Sequence, residues 1–232
     1  MIRTVLKEII ASNSMLPFAI RDEVVKQTMH IQELFPTPII ITHIDKALNQ
    51  KTLAFIKSKE IKYVRNLGGN SISSDLYTLE SDELNDIKKV LTDSVNEYFK
   101  KIIIPDEEVE LYITNSWINV NKNGEAHHLH KHTNSMVSGV LYIDTCEGDT
   151  ISFSNENSEV FGNLKFNDIP KTKWTVHEWD IPAINNRLII FPSSLLHFVK
   201  PRPNICTGTR ISLSLNTWIK GDTWFAEGSP NQ

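Results

Sequence analysis

The 232-residue chain has two cysteines, Cys146 and Cys206. They are too few for a disulfide framework and lack the Cys-x-x-Cys spacing of a zinc or redox motif. That scarcity fits a reducing compartment. Positive charge is not in excess either: 24 basic residues face 28 acidic ones, a net charge of -4. A nucleic-acid partner, which needs a basic footprint, is therefore not expected. Long apolar runs are missing as well. Stretches such as Leu188–Pro192 fall far short of a membrane span, and Lys7 and Glu8 break the N-terminal apolar stretch with no small-residue cleavage site after it. The expectation is a soluble, cytoplasmic protein without a membrane partner.

What remains is an ordinary globular composition, 40% hydrophobic and 22% charged, able to bury a core. There is no internal repeat and no low-complexity tract. All-β sandwiches and barrels reach about 200–250 residues as one domain, so a single domain fits the length.

The chain order divides into a helical part and a strand-rich part. Within residues 1–32, Leu6, Ile9 and Ile10 and then Asp22–Val25 suggest one or two short helices parted by Pro17. A strand entered through prolines follows at 35–41. A helix is expected over 46–59 with Asp45 as a possible cap, and a loop over 66–71. The clearest helix is 82–100. Ser81 stands at its cap position, and Leu84, Ile87, Leu91, Val95 and Tyr98 form an apolar stripe. After residue 109 the pattern becomes β-branched and aromatic, in segments 110–121, 136–143, 150–154, 173–181, 187–191 and 210–219. Helices followed by many short strands predict a β-sandwich or jelly roll with helices outside one sheet.

Four of the eight histidines lie within six positions: His127, His128, His130 and His132. A solvated polar loop would explain one such residue better than four. On a strand, residues i and i+2 share a side with Cα atoms about 6.6 Å apart, which lets two imidazoles converge on a metal ion. Both His128-x-His130 and His130-x-His132 meet that condition, so the spacing leaves the register open. His197, after the apolar strand 187–191 and a Pro-Ser-Ser turn, is the natural third ligand, although a core histidine would have the same context. His30, His43 and His177 read as structural or surface residues.

Arg210 opens a strand in which Ile211, Leu213 and Leu215 alternate with Arg210, Ser212 and Ser214. A polar row on an otherwise buried strand is either an outward edge or an interior patch. In the second case the guanidinium needs a partner, and a dicarboxylate would supply one through a bidentate salt bridge.

Five segments in order carry a family resemblance: Trp117–Asn121, His130–Ser135, Ser138–Ile143, Leu188–His197 and Arg210–Asn216. Together, over roughly residues 35–219, they resemble the 2-oxoglutarate/Fe(II) oxygenases of bacteria and their phages, near the prolyl-hydroxylase-like branch. The resemblance implies a mainly β fold with flanking helices, the double-stranded β-helix (jelly roll, cupin-like), formed by residues 35–232 behind an N-terminal helical extension, 1–34. It implies Fe(II) held by His130, His132 and His197, and 2-oxoglutarate and O2 as co-substrates. Arg210 with Ser212 would bind the 2-oxoglutarate, and Tyr142 and Asn119 would line its cavity. One departure is that the wider superfamily places a carboxylate where His132 stands. Glu125, Asp144 or a water could complete the shell instead, and His128 could enter in a shifted register.

The implied reaction couples decarboxylation of 2-oxoglutarate to succinate and CO2 with hydroxylation of a C–H bond on a small molecule or peptidyl residue. Two alternatives stand beside it: a three-histidine cupin-like metalloenzyme without 2-oxoglutarate, and a non-catalytic jelly-roll binding module. Loops 66–75 and 155–172 are candidate lids. Trp174, Trp179 and Trp218 could line a pocket but suit a core better. The extension 1–34 could mediate a homodimer.

Overall fold

Alternation on three central strands decides how the chain packs. On β6 (Val137–Asp144), β9 (Arg187–Pro192) and β11 (Arg210–Lys220), successive side chains point to opposite faces. Leu141, Ile143, Leu188, Ile190, Ile211, Leu213 and Leu215 go to one core, and Val140, Tyr142, Ile189 and Phe191 to a second. Strands buried on both faces need a cover on each side. A helix covers one and a second sheet covers the other.

The computed structural model describes residues 33, 35–44, 48–58, 60–105, 108–155 and 172–221. The chain divides into two compact units, Met1–Pro36 and Thr37–Gln232, and every element below lies in the second. The helices expected within 1–32, nearly all of the extension 1–34, the Asp45 cap and most of the loop 155–172 lie outside the described residues.

The larger sheet adds β1 (Ile40–His43), β2 (Tyr63–Arg65), β3 (Ser71–Ser73) and β4 (Glu110–Asn121) to those three strands, in the order β1-β9-β6-β11-β4-β3-β2. The smaller sheet, β5-β10-β7-β8, contains β5 (His127–His130), β7 (Thr150–Ser154), β8 (Glu178–Pro182) and β10 (His197–Val199). Every strand pair is antiparallel. Two facing antiparallel sheets with helices against the larger one make the expected double-stranded β-helix.

Helix α1 (Gln50–Ile56) starts at Asn49, whose side chain accepts from the Thr52 amide at 2.9 Å. Helix α2 (Asn85–Ile102) lays Ile87, Leu91, Val95, Tyr98 and Phe99 on the larger sheet. Its expected cap differs. Ser81 begins a short 3-10 turn, Asp82–Leu84, which runs into the helix, and its hydroxyl makes no capping bond. Among the described residues, no helix is long and apolar enough to cross a membrane.

The tryptophans depart from the core expectation: Trp174, Trp179 and Trp218 are all exposed. Trp179 lies on β8, an edge strand whose first three residues face solvent. The cysteines also differ from the reading drawn from composition. Cys146 and Cys206 are joined as a disulfide across 60 positions of sequence, between the β6–β7 and β10–β11 connections. Beside it, Arg202 donates through Nε to Asp149 at 3.1 Å, both side chains being 1% exposed. Arg202 also donates to the Gly208 carbonyl at 2.6 Å and to the Asn123 side chain at 3.3 Å. These contacts fix the connection that carries the chain from His197 to Arg210.

A cavity in the α2–sheet core cannot refill from solvent, so Leu91→Ala and Leu213→Ala, both at fully buried positions, should each cost about 2–5 kcal/mol. Urea unfolding measures this, and a loss below about 1 kcal/mol would contradict the packing described.

Candidate active site between the two sheets

The site is built at one end of the smaller sheet by the pairing of β5 with β10. His197 stands opposite His130, and Val199 opposite His127. Between these pairs, Phe198 alone on β10 stands opposite His128 and Leu129 on β5. This is a β-bulge, the device that re-aims side chains beside active sites. It turns His127 and His130 toward the same side and leaves His128 and Leu129 exposed. His132 follows β5 and is pinned by its backbone amide, which donates to the Ser193 carbonyl at 2.9 Å.

His130, His132 and His197 converge. Each offers a ring nitrogen, and these nitrogens lie within 4.8 Å of one another. His130 Nδ1 meets the His128 carbonyl at 2.7 Å, and His197 Nδ1 meets the Leu195 carbonyl at 2.9 Å. A carbonyl can only accept, so both rings carry their proton on Nδ1 and keep an unprotonated Nε2, the arrangement a metal ligand needs. Phe191 and Phe153 flank His197 with ring centroids 4.8 and 6.2 Å away. Trp117 lies 5.6 Å from His132.

The same surroundings disfavour charge on these rings. Burial, with neighbouring imidazoles adding to it, pushes His197 down to about 3 and His132 down to about 4. Burial also lowers His130. His127, half-buried and beside three other histidines, is pushed down to about 3 by desolvation and its neighbours' charges. Neutral imidazoles with free lone pairs suit a divalent cation.

Facing this cluster across the cleft is the polar row of β11. Arg210 is 4% exposed. Its Nη1 donates to the Thr150 carbonyl and its Nη2 to Asn121 Oδ1, both at 3.1 Å. Its Nε has no hydrogen-bond partner, nor does the buried Asn119 Oδ1. Among the described residues no carboxylate lies within ion-pair distance of Arg210. Burial lowers the tendency of its guanidinium to stay charged. The β-ladders place Ser212 between Asn119 of β4 and Tyr142 of β6. Asn119 Nδ2 donates to Ser214 Oγ at 2.9 Å. Burial pushes the Tyr142 phenol up to about 12, so it remains a neutral donor. Arg210, Ser212, Tyr142 and Asn119 line one cleft together with His130, His132 and His197.

All seven residues singled out in the sequence therefore meet in one place. The carboxylates considered as substitutes for His132 do not come to it. Glu125 accepts from the Lys122 amide at 2.8 Å, and Asp144 pairs with Lys57 at 2.7 Å. None of the three tryptophans considered for a pocket lines the cleft, whereas Trp117, Phe191 and His127 do. Period-2 reading set His127 aside because the bulge breaks the period, although the dense histidine cluster 127–132 included it.

An orphaned guanidinium nitrogen and a three-imidazole cluster in one cleft fit a metal ion bridged to a carboxylate ligand. A small acid could lie with one end at the histidines and the other at Arg210.

Residues 115–216 match the family model described as "Putative 2OG-Fe(II) oxygenase". Among solved structures, a 2OG-Fe(II) oxygenase family oxidoreductase from Burkholderia pseudomallei is 12% identical, with 77% of this chain and 83% of that one covered at a TM-score of 0.53. A prolyl-4-hydroxylase from Pseudomonas putida is 14% identical, with 78% and 92% covered at 0.52. A prolyl hydroxylase from Trichoplax adhaerens, solved with a hypoxia inducible factor peptide fragment, is 16% identical, with 78% and 83% covered at 0.51. At these identities the structural likeness establishes the double-stranded β-helix. No curated protein matches the sequence.

The depressed histidines set a pH dependence for the metal-free protein. Unfolded histidines take up protons near pH 6.5, whereas the folded ones stay neutral to about 4 or 3. Stability should be fully present above pH 6.5 and fall as pH drops through that window, by roughly 1.4 kcal/mol per pH unit for each histidine. Chemical denaturation between pH 7 and 5 measures the slope, and a flat profile would contradict the burial of these rings.

Proposed function

We propose that this double-stranded β-helix, with the oxygenase family match across its central strands, is a 2-oxoglutarate- and Fe(II)-dependent oxygenase. One observation carries the reading: a cluster of three neutral imidazoles and a buried guanidinium with an unpartnered Nε share one cleft. His130, His132 and His197 would hold the iron. Iron with 2-oxoglutarate and O2, when bound, supplies the oxidising chemistry, releasing succinate and CO2 and hydroxylating a C–H bond.

The chain's own residues bind and orient. Arg210, steered by Thr150 and Asn121, anchors the distal carboxylate. Ser212 and Tyr142 offer hydroxyl donors beside it, and Asn119 an acceptor and donor. Phe153 and Phe191 exclude water from the His197 side, which strengthens electrostatic contacts inside the cleft. The substrate is a small molecule or a peptidyl residue, the latter supported by the prolyl hydroxylases of the same fold. Residues 35–232 form the catalytic domain in this reading, and the extension 1–34 is a candidate dimerisation element.

A second reading is kept alive by the lack of a carboxylate at the histidine cluster: a three-histidine metalloenzyme that does not use 2-oxoglutarate. Arg210 separates the two, since such an enzyme has no need of a buried guanidinium facing its metal. In the oxygenase reading, Arg210→Ala weakens 2-oxoglutarate binding on the order of 100-fold, for two lost charge-assisted bonds, while iron content stays near that of the parent. Calorimetry and metal analysis distinguish these outcomes, and loss of iron along with binding would make Arg210 structural.

His197→Ala should abolish iron binding, and unchanged stoichiometry would remove the proposed metal centre. His132→Asp should retain or strengthen iron binding if His132 occupies the usual carboxylate position. Loss of iron in that variant would count against it.

A further inference from the structure

We propose that His127 is a fourth histidine of this site, a positioning residue that holds the ring of His130 while Asn66 holds His127. The proposal rests on the reading of His130 as a metal ligand.

The geometry comes from three contacts. The His127 ring stacks on His130 with centroids 4.3 Å apart and planes 20° from parallel. On the far edge of His127, Nε2 lies 3.0 Å from Asn66 Nδ2. The orientation of that amide is fixed by a third contact, since Asn66 Oδ1 accepts from the Leu67 backbone amide at 2.8 Å. Nδ2 must then be the donor, so the Nε2 lone pair of His127 is occupied. A ring whose Nε2 is already accepting cannot offer that atom to a metal, and the metal-spaced cluster indeed leaves His127 out. It is placed to support a ligand.

The support reaches beyond one hydrogen bond. Asn66 belongs to the turn between β2 and β3, which lies directly on β5. A Cβ added at Gly68 would sit 2.6 Å from the His128 backbone nitrogen and 2.7 Å from His127 Cα. Only glycine lets the two backbones come so close. Gly69, at φ +95°, makes a parallel bridge to Ala126. The turn therefore clamps β5 just before its bulge.

His130 is then restrained on its edge by the His128 carbonyl and on one face by His127, with His197 4.2 Å away at a tilt. Removing the stacked ring frees His130 to rotate. Outer-shell partners of metal ligands typically cost 10–100-fold in affinity when removed.

The test uses Co(II) as the probe, whose visible bands report ligand geometry as well as occupancy. In the full-length protein, His127→Ala should raise the Co(II) dissociation constant about 10-fold or more and alter the band pattern. His127→Phe keeps the stacked ring but loses the bond to Asn66, so its bands should shift less than those of His127→Ala. Asn66→Ala, away from the metal, should shift the bands in the same direction as His127→Ala by a smaller amount. A His127→Ala protein with affinity within twofold of the parent and unchanged bands would overturn the proposal while leaving the metal site intact. A parent protein that binds no Co(II) would instead remove the metal-site reading itself, and the proposal with it.

Discussion

The site depends on the antiparallel pairing of β10 with β5. β10 is three residues long, yet it is hydrogen-bonded to β5 on one side and to β7 on the other. That pairing sets His197 opposite His130, and the bulge within it turns His127, a second residue of β5, to the same side. Without the pairing, the histidines would be separate polar residues on a loop and a strand end. Such a short strand contributes little stability of its own. It is held in place by its surroundings: the aromatic rings of Phe191 and Phe153 against His197, and the buried Arg202–Asp149 pair that fixes the chain leaving β10.

The opposite wall follows from strand alternation. β11 gives its apolar residues to the core under α2 and its polar ones to the space between the sheets. The buried Arg210 is costly there, with its Nε unpartnered, and replacement by an apolar residue of similar shape would often stabilise such a position. A fold that keeps a guanidinium in that position sacrifices stability for binding, the usual sign of a functional site. Two cores divide the work. The helix-side core is apolar, and the polar residues of β11 line the space between the sheets.

Much of this was legible in the sequence, for physical reasons. Long alternating or apolar segments such as 110–121, 187–191 and 210–219 became β4, β9 and β11 almost residue for residue. Burial on both faces leaves few other ways to satisfy them. The apolar stripe of 82–100 became α2 because it buries one face of the helix against the larger sheet. Very short elements were missed: β2, β3, β5 and β10 have too few residues for a period to show, and tertiary pairing alone makes them strands. The Ser81 cap failed because a 3-10 turn intervened. Trp179 departed from the core expectation because an edge strand has a solvent side available to it, whereas Trp174 lies in a turn before β8 and Trp218 near the end of β11. The pairing of Cys146 with Cys206 depends on two connections meeting in space, which composition does not reveal. At the site, the residues brought together were those the family-like segments marked. His127 was not among them, because a bulge changes which residue faces inward without changing the sequence pattern.

The central claim is that one cleft binds a metal at three histidines and a 2-oxo dicarboxylate between that metal and Arg210. The most direct measurement is an anaerobic titration of the metal-free protein with Fe(II) and then 2-oxoglutarate, followed in the visible spectrum. A weak charge-transfer band that develops only when both are present is the expected result, since it requires the 2-oxo acid to chelate the bound iron. Iron binding with no band on addition of 2-oxoglutarate would contradict the account and favour a three-histidine enzyme of another kind.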